Sequence, residues 1–267
     1  IYYCDEDKLD LNGSSCEPFY KPDWSPEYLM STMYLLHCLC IRKAEFLALG
    51  GYRSAYDGAQ DHDFVLRAAA RGLFPRHVDR LLYHWRKTSA SAAKTNVAKE
   101  FTVEAGRRAV ADYLANLKLH GTVEHGLVPG TYRARPRLSP TPVSLNILTA
   151  CTLMPRGGTY VERFVRSILE NASESPVEFE IRVIVDELHS ELAAPLVELD
   201  SRVRLVLFRR NSVNFNFAEK ANFAVITSEH DRIVLLNDDM EVVNSGWLAA
   251  LLEMLELPGV GVVGGRL

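Results

Sequence analysis

The sequence predicts an α/β protein, a Rossmann-like and mostly parallel sheet flanked by helices, carried in two partial domains. Three observations lead there. From Val143 onward, short apolar runs alternate with segments of helical period. A Pro/Arg-rich stretch that includes Pro129, Gly130, Pro136, Pro140 and Pro142 sets that region apart from an earlier mixed one. The 267 residues, 48% hydrophobic and 24% charged, suffice for one large or two modest cores.

In chain order, the first block runs over residues 1–95. Ser25-Pro26 is a helix start, since serine caps and proline at the first helical position loses no hydrogen bond. Gly50-Gly51 closes a helix around Lys43 to Leu49, and Gly72 closes another that begins near Asp61. His37 to Ile41 and Phe74 to Tyr83 read as strands. Over residues 96–142 the apolar positions Val97, Phe101, Ala105, Ala109, Tyr113 and Leu117 predict a helix from Asn96 to His120, followed by a linker. The block 143–267 reads as strands Val143–Thr149, Phe179–Asp186, Arg202–Phe208 and Arg232–Leu236, with helices Tyr160–Glu170, Ser190–Leu199, Phe217–Ser228 and Trp247–Leu255. A run such as Ile233-Val234-Leu235-Leu236 is expected to be covered on both faces. Ligands of such sheets sit beyond the carboxyl ends of the strands, where Asp186 and Asp239 fall.

Composition removes several function classes. The net charge is -4 and the pI about 6.1, and no Lys/Arg run has the density of a nucleic-acid footprint. No stretch approaches the roughly 18 apolar residues of a membrane span, and no signal segment opens the chain. The expected address is the cytoplasm, with the inner face of the membrane reached through partners. Cys4, Cys16, Cys38, Cys40 and Cys151 lack zinc-site spacing and read as reduced packing residues. A start at Ile1 and an end at Gly264-Gly265-Arg266-Leu267 lead to the expectation of a fragment.

Two acidic clusters carry the chemistry, Asp5-Glu6-Asp7 and Asp238-Asp239-Met240-Glu241. In extended chain, residues i and i+2 share a side, so Asp5 with Asp7, or Asp239 with Glu241, can aim two carboxylates at one point. Such a pair suits a hard cation that binds phosphate oxygens; a solvated acidic turn is the plain alternative. Asp61, at a helix start, is placed to take a proton from a hydroxyl. His84 is a candidate ligand and Arg86 a bidentate phosphate partner.

The strings Tyr3 to Lys8, Phe19 to Pro26, Gly50-Gly51-Tyr52-Arg53, Asp57 to Asp63 and Tyr83 to Arg86, in that order, resemble the back half of family 2 glycosyltransferases. The strings from Val143, through Val183 to Asp186, Asn214 to Phe217 and Leu235 to Val243, to Trp247 and Gly261 to Gly264, resemble the front half of the same family. The resemblance implies the GT-A fold, inversion at the anomeric carbon and Mg²⁺ or Mn²⁺. It implies Asp61 as catalytic base, and Asp5, Asp7, His84, Asp239 and Glu241 as metal ligands. Asp186, Asp238 and Arg86 are implied donor contacts, and Trp24, Asp57 and Gln60 acceptor-side residues. The implied partners are a nucleotide-sugar donor and a glycan or lipid-linked acceptor, in bacterial surface polysaccharide synthesis. Where that family has a Pro-Thr-Arg type turn, this chain carries a longer insert ending in Gly157-Gly158. Two rival readings are a nucleotidyltransferase, which shares acidic ligands and an α/β sheet, and an inactive nucleotide-sugar-binding fragment.

Overall fold

Strand β1 (Tyr2–Leu9) organises the first of the two units into which the chain divides, Ile1–Arg137 and Leu138–Leu267. The computed structural model describes residues 1–87, 96–172, 177–209 and 216–265. The expected end of the first block at residue 95, together with Asn214 and Phe215, lies outside the described residues.

β1 pairs antiparallel with β2 (Ser15–Phe19) and with the short β3 (Leu39–Cys40), and parallel with β4 (Arg76–Arg86). From Glu6 onward β1 and β4 run in step, with Glu6 opposite Tyr83, Asp7 opposite His84 and Lys8 opposite Trp85. Side chains alternate across a strand, so Asp7 and His84 share one face while Glu6, Lys8, Tyr83 and Trp85 share the other. Helix α1 (Pro26–Ser31) starts as the sequence predicts: the Ser25 hydroxyl accepts from the Tyr28 N–H at 3.2 Å. α2 (Lys43–Ala48) and α3 (Gln60–Ala70) end before Gly50, Gly51 and Gly72, all with positive φ. The strand expected over His37 to Ile41 shrinks to the two residues of β3.

The largest correction lies between residues 96 and 142. α4 (Asn96–Asn116) buries Ala105, Ala109, Val110, Tyr113 and Leu114, and packs on α3 within the first unit. The expected linker is a hairpin, β5 (Gly121–His125) with β6 (Tyr132–Pro136), and Pro129-Gly130 lies in its turn. In β6, buried Tyr132 and Ala134 alternate with Arg133 and Arg135, so a strand's two-residue period stands where composition alone suggests a linker.

The second unit is one parallel sheet in the order β10-β7-β8-β9. Its strands are β7 (Val143–Thr149), β8 (Phe179–Asp186), β9 (Val203–Phe208) and β10 (Arg232–Asn237). α5 (Tyr160–Glu170) is capped by Thr159, and α7 (Phe217–Ile226) by Asn216. α6 (Ser190–Ala193) gives way to a 3-10 turn over Ala194–Glu198, because Pro195 has no N–H to continue the α-helical ladder. α8 (Trp247–Leu255) sets Leu248 and Leu252 into a core with Leu145, Ile147, Ile181, Val183, Phe164 and Ile168. The other face of the sheet packs Leu148, Ile184 and Phe208 against Ala224 of α7. β7 and β8 are almost wholly buried, but β10 is an edge strand and Leu235 is 47% exposed, against the expectation that this run is covered on both faces. No helix among the described residues is long and apolar enough to cross a membrane. Cys4 and Cys151 are buried as expected of packing residues, whereas Cys38 and Cys40 are exposed.

Candidate functional site

In the second unit the chain leaves β7 in one direction to form β8 and β9, and returns on the other side of β7 as β10. The crevice at the carboxyl ends of β7 and β10 is thus the switch point at which open α/β sheets take ligands. There the Thr149 hydroxyl donates to Asp238 and accepts from the Cys151 N–H. Lys220, from the first turn of α7, is fully buried and donates to Thr149 O (2.5 Å) and Asp186 Oδ2 (3.1 Å). Asp186 is itself buried at the end of β8. Asp186, Asp238, Thr149 and Lys220 therefore form one network, and neither Thr149 nor Lys220 is among the residues the sequence motifs mark out.

Asp239 and Glu241 behave differently. β10 ends at Asn237 and the chain turns, so the argument that i and i+2 share a side of extended chain no longer holds. Asp239 is exposed, and Glu241 pairs with Arg163 of α5 at 2.6 Å. The glycine insert is a tight turn in which Met154 N–H donates to Gly158 O and the Leu153–Thr159 bridge leads into the α5 cap.

In the first unit Asp5 and Asp7 are both buried and are held by different partners. Asp5 Oδ1 accepts from the Lys21 N–H (2.9 Å) and faces His77 Nε2 (2.8 Å). The other nitrogen of His77 lies 3.3 Å from Asp23, and its ring stacks on Tyr3. Asp7 accepts from the Ser15 hydroxyl and faces His84 Nδ1 at 2.5 Å. The Ser15 hydrogen bond, with His84 adding to it, holds the Asp7 carboxyl below its ordinary range against the effect of burial. Asp7 and His84 come together, whereas Asp5 is held by His77 and Lys21. Among the described residues no group of three or more His, Cys, Asp or Glu is arranged to hold a metal ion. In this arrangement Asp5 does not join Asp7 and His84 at one point, and no step below passes through a metal.

Asp61, Gln60 and Asp57 gather at the start of α3. Gln60 Oε1 accepts from the Gly58 N–H, and Asp61 Oδ1 from the His62 N–H at 2.8 Å. Two residues on, Asp63 is buried and clamped by Arg53 and Arg67, while Arg67 also donates to Leu49 O and Gly51 O. The Gly50-Gly51-Tyr52-Arg53 string is thus stapled to α3 by Asp63. Trp24 is half-buried on Phe74, and Arg86 is exposed on β4. Tyr132 of the hairpin lies near Asp61: burial, then Glu104 and Asp61, push its hydroxyl up to about 12.

His62 gives this region a pH response. Its Nε2 lies 2.7 Å from Leu29 O and so carries the proton. Burial pushes the imidazole below its ordinary 6.5, against the Leu29 carbonyl and the carboxylates of Asp61 and Asp63. As pH falls below the unfolded value, the unfolded chain takes up a proton that the folded chain refuses, so stability drops with falling pH from about 6.5 downward. Glu17 and Asp200, each held at about 2 by neighbouring cations, give up stability only below their ordinary 4.5 and 3.8. Denaturant titrations between about pH 7.5 and 5 are expected to show a loss in the wild type that His62→Gln, which keeps a donor for Leu29 O, lacks. Equal slopes in both proteins would exclude His62 as the cause.

No family model matches the chain. Over its whole length it is 33% identical to the uncharacterized protein y4gI of Sinorhizobium fredii and 32% identical to the O-antigen biosynthesis protein RfbC of Myxococcus xanthus. It spans 29% and 20% of these curated relatives. Among solved structures it overlaps the mannosyltransferase PcManGT from Pyrobaculum calidifontis, in complex with GDP-Man and Mn²⁺, at a TM-score of 0.37 and 16% identity. That overlap covers 45% of this chain and 33% of the mannosyltransferase. S. aureus TarS 1-349 overlaps at a TM-score of 0.33 and 16% identity, covering 46% of this chain and 38% of TarS.

Proposed function

We propose that the full-length protein transfers a sugar, with inversion, from a nucleoside-diphosphate donor to a hydroxyl of a glycan or lipid-linked acceptor during surface polysaccharide synthesis. In this reading the first unit is the acceptor-side half of one GT-A domain, and the second is the nucleotide-binding half of another. The observation that carries it is the network of Asp186, Asp238, Thr149 and Lys220 at the switch point of a parallel sheet. The 32% identity to a fifth of RfbC, an O-antigen biosynthesis protein, supports the biological setting.

In the chemical step, the acceptor oxygen attacks the anomeric carbon from the face opposite the leaving group. A carbon–oxygen bond forms, the bond to the diphosphate breaks, and Asp61 takes the acceptor proton. In the separate domain to which the second unit belongs, half-exposed Asp238 accepts a hydrogen bond from that domain's own donor nucleotide, and the buried pair of Asp186 and Lys220 supports it through Thr149.

UDP or GDP is expected to raise the melting temperature of this chain, and Asp238→Ala to abolish the shift. In the full-length protein, product analysis is expected to find nucleoside diphosphate and no pyrophosphate. Pyrophosphate release would favour the nucleotidyltransferase, and the absence of any nucleotide-induced shift would overturn the reading for this chain.

A further inference from the structure

The middle residue of the first acidic cluster has no part in the step above, yet it anchors a feature of its own. Glu6 Oε2 accepts from Lys21 Nζ at 2.9 Å and from the His37 N–H at 3.1 Å, and the Lys21 side chain is fully buried. Lys21 Nζ also donates to Leu35 O and His37 O, each at 2.5 Å. A buried ion pair is costly to desolvate, and here every hydrogen bond it makes outside itself pins the segment that carries His37.

The pinned imidazole completes a row of rings. His37 stacks on Tyr83 with centroids 5.1 Å apart and planes at 13°, and lies 5.7 Å from Trp85. Lys8 Nζ stands 5.8 Å from the Trp85 ring centroid. The register puts Tyr83 and Trp85 on the face of β4 opposite His84, so the row lies across the sheet from Asp7 and His84. The His37 side chain is 44% exposed and Trp85 41%, so the row presents ring surface to solvent. His37 Nδ1 is itself buried, 3.5 Å from Glu6, so the exposure falls on the rest of the ring.

Lys8 and Lys87 share the one carboxylate of Glu17, and Lys21 holds Glu6. Such a rim offers ammonium donors and carboxylate acceptors for hydrogen bonds. Exposed aromatic surface with a polar rim suits a ring that has one apolar face of C–H groups and hydroxyls at its edge. We infer that the His37–Tyr83–Trp85 row is a stacking subsite for a pyranose ring. The inference rests on the reading that the full-length protein handles glycans, and it adds a sugar site on the sheet face that the transfer step does not use.

Saturation-transfer NMR on the full chain, with a panel of methyl pyranosides (glucoside, galactoside, mannoside, rhamnoside), tests it. At least one glycoside is expected to receive saturation on the C–H groups of one ring face. Trp85→Ala is expected to weaken that binding about tenfold, while Trp85→Phe and Phe101→Ala, the latter on α4 away from the row, keep it. Melting curves establish that each variant is folded. Silence from every glycoside with wild type, undiminished transfer in Trp85→Ala, or displacement of the sugar by UDP overturns the inference. The UDP-induced thermal shift is expected to survive Trp85→Ala, so loss of the sugar signal and failure of the nucleotide reading are separate results.

Discussion

Asp61→Asn in the full-length protein is expected to leave the fold and donor binding intact and to lower turnover by a factor on the order of 10² or more, the usual scale for a positioned proton transfer. The structure separates the two effects. Asp61 is half-exposed in the first turn of α3, where its carboxylate accepts from the neighbouring His62 N–H. Losing its charge costs the favourable meeting of a carboxylate with a helix N-terminus, about 0.3–1 kcal/mol. Asp63, two residues on, offers no such separation, since it is buried between Arg53 and Arg67. Turnover with a melting temperature unchanged from wild type is the measurement to make. Undiminished turnover would assign Asp61 to helix capping, and collapse of the fold would assign it to structure.

Lys220→Ala is expected to have the largest effect on stability, about 3–5 kcal/mol from the second unit, because it takes the ammonium group at 3.1 Å away from a buried carboxylate. The Lys220 side chain is fully buried and that of Asp186 is 1% exposed, so water cannot replace the lost partner without opening the carboxyl ends of β7 and β8. The paired variant Lys220→Met with Asp186→Asn removes both charges and is expected to recover most of the loss. Urea unfolding of the single and paired variants measures this. A single variant within about 1 kcal/mol of wild type would mean that water reaches the pair and that the network does not organise the crevice.

Much of the second unit is legible in the sequence because its signals are local. β7, α5, β8 and α8 begin and end where apolar runs and the 3.6-residue period place them, and Thr159 and Asn216 cap through bonds three residues away. The unread features are long-range or hidden by charge. The carboxylates of Asp5 and Asp7 stand out in the sequence, but the histidines that face them come 72 and 77 residues later, and that distance decides which carboxylate remains near His84. No motif in the sequence marks Lys220; it is buried because the first turn of α7 meets the strand ends. Arg133 and Arg135 lend β6 the composition of a linker although they form the outward half of a strand.

The Tyr132 and Gly106 contact decides where this protein can be divided. A Cβ at Gly106 would stand 2.0 Å from the Tyr132 hydroxyl oxygen, so the bare glycine surface in the middle of α4 is the seat of the hairpin's ring. A helix-interior glycine costs about 1 kcal/mol against alanine, and here that loss is offset by a buried aromatic side chain. Helix and hairpin therefore share one stretch of interior, and scission at residue 95 or 120 would strand half of it. Removing the hairpin exposes Gly106 and the ring of His62; removing the helix as well uncovers the face of α3 beneath it. The natural point of dissection is the junction at Arg137 and Leu138, where one compact unit ends and the next begins.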